Sequence, residues 1–137
     1  MNWQSHFELW QEALAQRKLA KANQLISEAC KSLPRTKENE KWQWFVEALQ
    51  DQLTCGFVAC VFSKHPIPKV LMEPFLNAGI KFGNASTIKA FVIPCLETFG
   101  VSVVDGWFAS KDTHDTQLQE KIEMARYWYP AAKRSRR

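Results

Sequence analysis

The stretch Trp42-Gln43-Trp44-Phe45-Val46-Glu47-Ala48-Leu49-Gln50-Asp51-Gln52-Leu53-Thr54-Cys55-Gly56-Phe57-Val58-Ala59-Cys60-Val61 decides the fold class. Trp42, Phe45, Val46, Leu49, Leu53, Phe57, Cys60 and Val61 recur mostly every three or four residues, which keeps one apolar stripe facing the same way for about five helical turns. A buried strand over Phe57 to Phe62 is the rival reading. Helix is favoured because the stripe passes through Gly56 in phase, although a glycine costs about 1 kcal/mol inside a helix and marks a place for a bend or a break.

Upstream, Trp3, Phe7, Trp10 and Leu14 form a stripe on a helix from about Asn2 to Gln16. Leu19, Ala22, Leu25, Ile26 and Ala29 predict a second helix, stopped near Leu33 by Pro34, so the two make a helical hairpin. The polar run Pro34 to Glu40 reads as a loop in which Thr36 or Asn39 caps the next helix. Downstream, Pro66 and Pro68 in Lys64-His65-Pro66-Ile67-Pro68 end the central helical pattern. Leu71-Met72-Glu73-Pro74-Phe75-Leu76 then lines up with Phe91-Val92-Ile93-Pro94-Cys95-Leu96 at an offset of 20 residues. This similarity implies two short helices, each kinked by its proline or beginning at it. Gly79 and Gly83-Asn84-Ala85-Ser86 punctuate the first, Ser86 is placed to cap the second, and Gly100 sits where a C-cap glycine belongs. Val103, Val104, Trp107 and Phe108 predict a brief helix and Lys111 to Thr116 a loop. Leu118, Ile122, Ala125, Trp128 and Tyr129 predict a last helix closed by Pro130.

The expected architecture is therefore all-α, with six or seven helices in one domain over residues 1–132. Longer helices fill 1–63, repeat-like helices fill 64–132, and 133–137 form a basic tail expected to be disordered. Leu71-Met72-Glu73-Pro74-Phe75, the segment Phe91-Val92-Ile93-Pro94-Cys95-Leu96-Glu97-Thr98-Phe99-Gly100 and the ending Ala125-Arg126-Tyr127-Trp128-Tyr129 resemble a HEAT-type helical repeat over about residues 66–129. The resemblance implies a right-handed stack of short helices preceded by the hairpin, and a scaffold that holds another macromolecule on a face of the stack. No complete 40-residue copy repeats, a departure from that family's pattern.

Composition narrows the function classes. The chain has 137 residues, 46% of them hydrophobic and 23% charged, a balance that supports a globular core. The longest apolar run, Gly56 to Phe62, is far short of the roughly 20 residues a membrane span needs. The net charge of +4 belongs to Lys133, Arg134, Arg136 and Arg137, because residues 1–132 carry 14 basic and 14 acidic side chains. Cys30, Cys55, Cys60 and Cys95 include no C-x-x-C pair, and Cys60 and Cys95 sit in apolar runs as small hydrophobes would. With no secretory leader at Met1 to Trp10, reduced thiols and a cytoplasmic location are expected.

Candidate chemistry is sparse. No G-x-S-x-G elbow, H-E-x-x-H pair or glycine-rich phosphate loop occurs. His6, His65 and His114 are far apart, and His114 with Asp112 and Asp115 would need a distant ligand to hold a metal. Glu38, Glu40, Glu47 and Asp51, interspersed with Lys37 and Lys41, read as a solvated face, with a cation or basic partner as the sharper reading. Trp3, Trp10 and Trp42 fall on helical stripes and read as core, as does Trp128, whereas Trp44 lies off its stripe and Trp107 stands in a brief helix. Those two are the candidate partner-binding anchors. No cofactor or metal is called for. The preferred function is a non-enzymatic interaction module that binds a protein. The alternative is a nucleic-acid binder using Lys133, Arg134, Arg136 and Arg137 with Lys64, Lys69, Lys81 and Lys89, and a small enzyme of unknown chemistry ranks third.

Overall fold

The computed structural model describes residues 2–35, 38–63, 65–111 and 115–131, without side chains for 35 and 38–41. Among them are eight α-helices, one 3-10 turn and no strand. The helices are α1 Trp3–Ala15, α2 Leu19–Ser32, α3 Glu38–Leu49, α4 Cys55–Val61, α5 Lys69–Phe82, α6 Lys89–Phe99, α7 Val101–Ala109 and α8 Thr116–Arg126. The chain divides into two compact units, Met1–His65 and Pro66–Arg137.

In the first unit α1 starts on Asn2, whose side-chain oxygen accepts from the Ser5 amide at 3.0 Å. The α1–α2 hairpin turns through Arg17 at φ 58°, where Lys18 N donates to Ala13 O at 2.8 Å and Arg17 N to Leu14 O at 3.0 Å. That pair of bonds is the Schellman pattern, with arginine where glycine is usual. His6 is buried and its Nε2 donates to the Leu25 carbonyl at 2.6 Å, tying α1 to α2. Cys30 Sγ donates to Val61 O at 3.1 Å, tying α2 to α4. The core is aromatic: Phe45 meets Trp3 at 4.9 Å and Phe62 at 5.2 Å between ring centroids, and Phe7 meets Phe57 at 5.7 Å.

Two expectations for this unit need correction. The helix count is eight among the described residues because the central stripe is two helices, and the break falls at residues 50–54 rather than at Gly56. Asp51 Oδ1 accepts from Leu53 N at 2.9 Å and Thr54 Oγ1 donates to Ala48 O at 2.7 Å. These local bonds satisfy backbone groups that a continuous helix would have paired. Leu53 is consequently 61% exposed in the break instead of lying on the stripe, while Gly56 sits inside α4. Phe57 to Val61 are helical, so the strand reading of that segment is excluded. Cys60 is exposed rather than buried, whereas Cys95 is fully enclosed.

In the second unit the 20-residue offset is preserved in three dimensions. Pro74 is the sixth residue of α5 and Pro94 the sixth of α6. Buried Leu71, Phe75 and Leu76 have buried counterparts in Phe91, Cys95 and Leu96. The two helices run antiparallel, since Phe75 stacks near Phe91 at 6.2 Å while Ile67 N, ahead of α5, donates to Thr98 Oγ1 near the end of α6 at 3.1 Å. Gly79 permits the close approach: a Cβ there would lie 3.0 Å from Phe91 Cβ. Ser86 does not cap α6, as the loop is organised instead by Asn84 Oδ1, which accepts from Ser86 N at 2.9 Å and Thr87 N at 3.1 Å. Gly100 ends α6 at φ 94°, the C-cap position its sequence context predicts. The last helix stops at Arg126, and residues 127–128 form a turn.

Candidate functional site

An open concave surface lies on α8. Asp115 starts that helix, its carboxylate accepting from Gln117 N at 2.9 Å and Leu118 N at 3.3 Å. Ile122 and Ala125, three residues apart, are buried and fix the inner face. Lys121 donates from Nζ to the Gly83 carbonyl, pinning α8 to the loop after α5. The C-terminal end is tied to α7 by Asp105, whose Oδ1 accepts from Arg126 Nε at 3.0 Å and Tyr129 OH at 2.9 Å. The hydrogen bonds from Arg126 and then Tyr129 hold the Asp105 carboxyl below the usual carboxylate range. Burial, reinforced by the bond to Asp105, pushes the Tyr129 phenol up.

With its inner face anchored, α8 leaves its other side uncovered. Thr116, Glu120, Glu123 and Tyr127 succeed one another at spacings of four, three and four, so they share one outer stripe. Met124 and Trp128 flank it, and with Ala85 and Gln119 they line a groove of about 720 Å³. Its surface is mainly apolar. Tyr127 is 75% exposed and stands perpendicular to Trp128, with centroids 5.2 Å apart. Lys89 Nζ lies 5.4 Å from the Trp128 ring centroid, a cation on an aromatic face. The groove offers shape, aromatic surface, a threonine hydroxyl and carboxylates.

The residues singled out in the sequence are dispersed. Trp44, in the first unit, is half-buried, edge-on to Phe45 and Phe57, and its indole N–H donates to Gln4 Oε1 at 3.4 Å. Trp107, in the second, is half-buried beneath Lys111 Nζ at 4.2 Å. Lys81 and Lys89 stand at one end of the α5–α6 pair and Lys69 at the other. Lys64, Asp112, His114, Lys133, Arg134, Arg136 and Arg137 lie outside the described residues. Glu47 and Asp51 do not share a helix face, because α3 ends at Leu49 and Asp51 turns back on Leu53 N. No group of three metal-ligating side chains occurs among the described residues.

Sequence reasoning missed Asp105, Arg126 and the Tyr127 groove, and placed Trp128 in the core, whereas it is half-buried at the groove. The signal for the groove was the Thr116, Glu120, Glu123 and Tyr127 spacing, a second stripe on the helix that carries Ile122 and Ala125. Comparison of the chain with protein-family models, with curated proteins and with solved structures gives no match.

Proposed function

We propose that this chain is a non-enzymatic helical interaction module that binds a protein partner, with residues 66–129 serving as a HEAT-like stack whose open face is the groove on α8. The observation that carries the reading is that groove: about 720 Å³, mainly apolar, with Tyr127 75% exposed at its edge. Aromatic side chains of this kind supply large contact area at low conformational cost and are enriched where proteins meet. The HEAT-like part of the reading is supported by the register shared between α5 and α6, each with proline as its sixth residue.

The test is capture of a protein from nuclease-treated extract by the immobilised chain, compared with Tyr127→Ala. Tyr127 is exposed, so the variant is expected to keep its circular dichroism spectrum and melting temperature. A reproducible partner retained by the wild type and lost by Tyr127→Ala is the expected result. Capture that survives Tyr127→Ala, or that disappears with nuclease, would overturn the reading.

A further inference from the structure

The groove on α8 has a charge signature as well as an apolar surface. Glu120 and Glu123 line it, and at its edge the Lys89 ammonium rests on the Trp128 ring. Glu123 Oε1 is engaged by Arg126 Nη1 at 2.6 Å, whereas Glu120 has no ion pair among the described residues. An unneutralised carboxylate beside apolar surface disfavours an acidic occupant and draws a cationic one. The aromatic floor has the same preference, since Trp128 already receives the ammonium of Lys89 and the exposed Tyr127 ring is open to a second cation. Shape adds a further constraint. The stripe from Thr116 to Tyr127 spans roughly 16 Å at 1.5 Å per residue, about three turns of a helix laid alongside α8.

We infer that this groove takes a basic amphipathic helix of a partner protein, with the partner's apolar face on Met124, Tyr127 and Trp128 and its arginine or lysine flank against Glu120. The inference rests on the protein-binding reading above and adds the chemistry of the partner.

Isothermal titration calorimetry of the full chain with two synthetic helical peptides tests it. Each peptide has about four turns with leucine at i, i+3, i+4 and i+7 spacing, one flanked by arginine and the other by glutamate at the same positions. The arginine peptide is expected to bind one-to-one and about ten-fold tighter than the glutamate peptide. Glu120→Lys is expected to narrow that gap about five-fold, and Tyr127→Ala to weaken binding of the arginine peptide. Equal binding of both peptides would overturn the basic-partner inference while leaving a peptide groove. Binding of neither would overturn it too; whether the protein-binding reading falls with it is decided by the capture experiment, which does not depend on peptide charge. Self-association abolished by Tyr127→Ala would overturn it by assigning the groove to a second copy. Arginine-peptide binding that appears only after removal of Lys133 to Arg137 would overturn it by assigning the groove to the chain's own basic segment.

Discussion

The phenol of Tyr129 donates a 2.9 Å hydrogen bond to Asp105 Oδ1, joining the end of the α8 region to the middle of α7. Arg126 Nε shares the same oxygen at 3.0 Å, so one carboxylate organises two side chains from the groove-bearing segment. The position of Tyr127 and Trp128 therefore depends on a polar clasp at their flanks as well as on the buried Ile122 and Ala125.

That clasp has a pH signature. The Asp105 carboxyl is depressed in the folded chain, so its contribution is present above the ordinary carboxylate value near pH 4 and is lost as pH falls through the depressed one. The Tyr129 phenol is raised, so its contribution is present below about pH 10 and is lost as pH rises toward the raised value. Asp105 keeps solvent contact, so the effect is below about 1 kcal/mol after screening. The melting-temperature advantage of the wild type over Asp105→Asn is expected to hold from about pH 5 to 9 and to vanish in acid. The advantage over Tyr129→Phe is expected to shrink above about pH 10.

Two glycines predict opposite responses to a side chain. Gly56 lies within α4 with no atom within 4 Å of a Cβ built on it, so Gly56→Ala is expected to raise stability by about 0.5–1 kcal/mol through helix propensity. A Cβ at position 79 would lie 3.0 Å from Phe91 Cβ, so Gly79→Leu is expected to lower it by about 2 kcal/mol or more by forcing α5 and α6 apart. Urea unfolding midpoints of the two variants check both signs.

Arg17 adopts φ 58° at the α1–α2 corner, a left-handed conformation that a side chain disfavours. Arg17→Gly is expected to stabilise the chain by about 0.5 kcal/mol, the relief of strain exceeding the extra freedom glycine gives the unfolded state. Arg17→Val is expected to destabilise it by about 1 kcal/mol or more, because a β-branched residue tolerates that φ least. Thermal melts of the pair decide the matter.

Removal of Lys133 to Arg137 takes away the whole net positive charge, since residues 1–132 balance 14 basic against 14 acidic side chains. Folding stability is expected to change by less than about 0.5 kcal/mol. Any salt-dependent association with duplex DNA is expected to disappear, as measured by fluorescence anisotropy across a salt series. An unchanged salt slope in the truncated chain would move attention to Lys69, Lys81 and Lys89.

The helical class was legible because the Trp42 to Val61 stripe, the Trp3 to Leu14 stripe and the proline-bearing pair all have helical spacing. The break between α3 and α4 was not. A turn that returns the chain in phase leaves the periodicity of Leu49, Leu53 and Phe57 intact, and only the side-chain bonds of Asp51 and Thr54 reveal the stop. Those residue types form local bonds in turns and caps alike, so their identity alone does not locate a break. The groove was hidden for a different reason. Tyr127 and Trp128 look like core residues in a sequence, and which of them stays uncovered is set by what α5 and α7 leave unpacked around α8.

Pro74 and Pro94 lack the amide that would bond the carbonyls of Val70 and Ala90, both of which belong to exposed residues. The opening turn of α5 and that of α6 are each stitched to the rest of the helix by one bond fewer than an ordinary turn, and both are expected to come loose at lower free energy than the helix behind them. Hydrogen exchange at Glu73 and Ile93 is accordingly expected to outpace that at Leu76 and Leu96. Lys89, which rests on Trp128, rides on one of these loose turns. The Lys89 contact at the edge of the groove is thus expected to open readily, so that an arriving cation would compete with an easily displaced tenant.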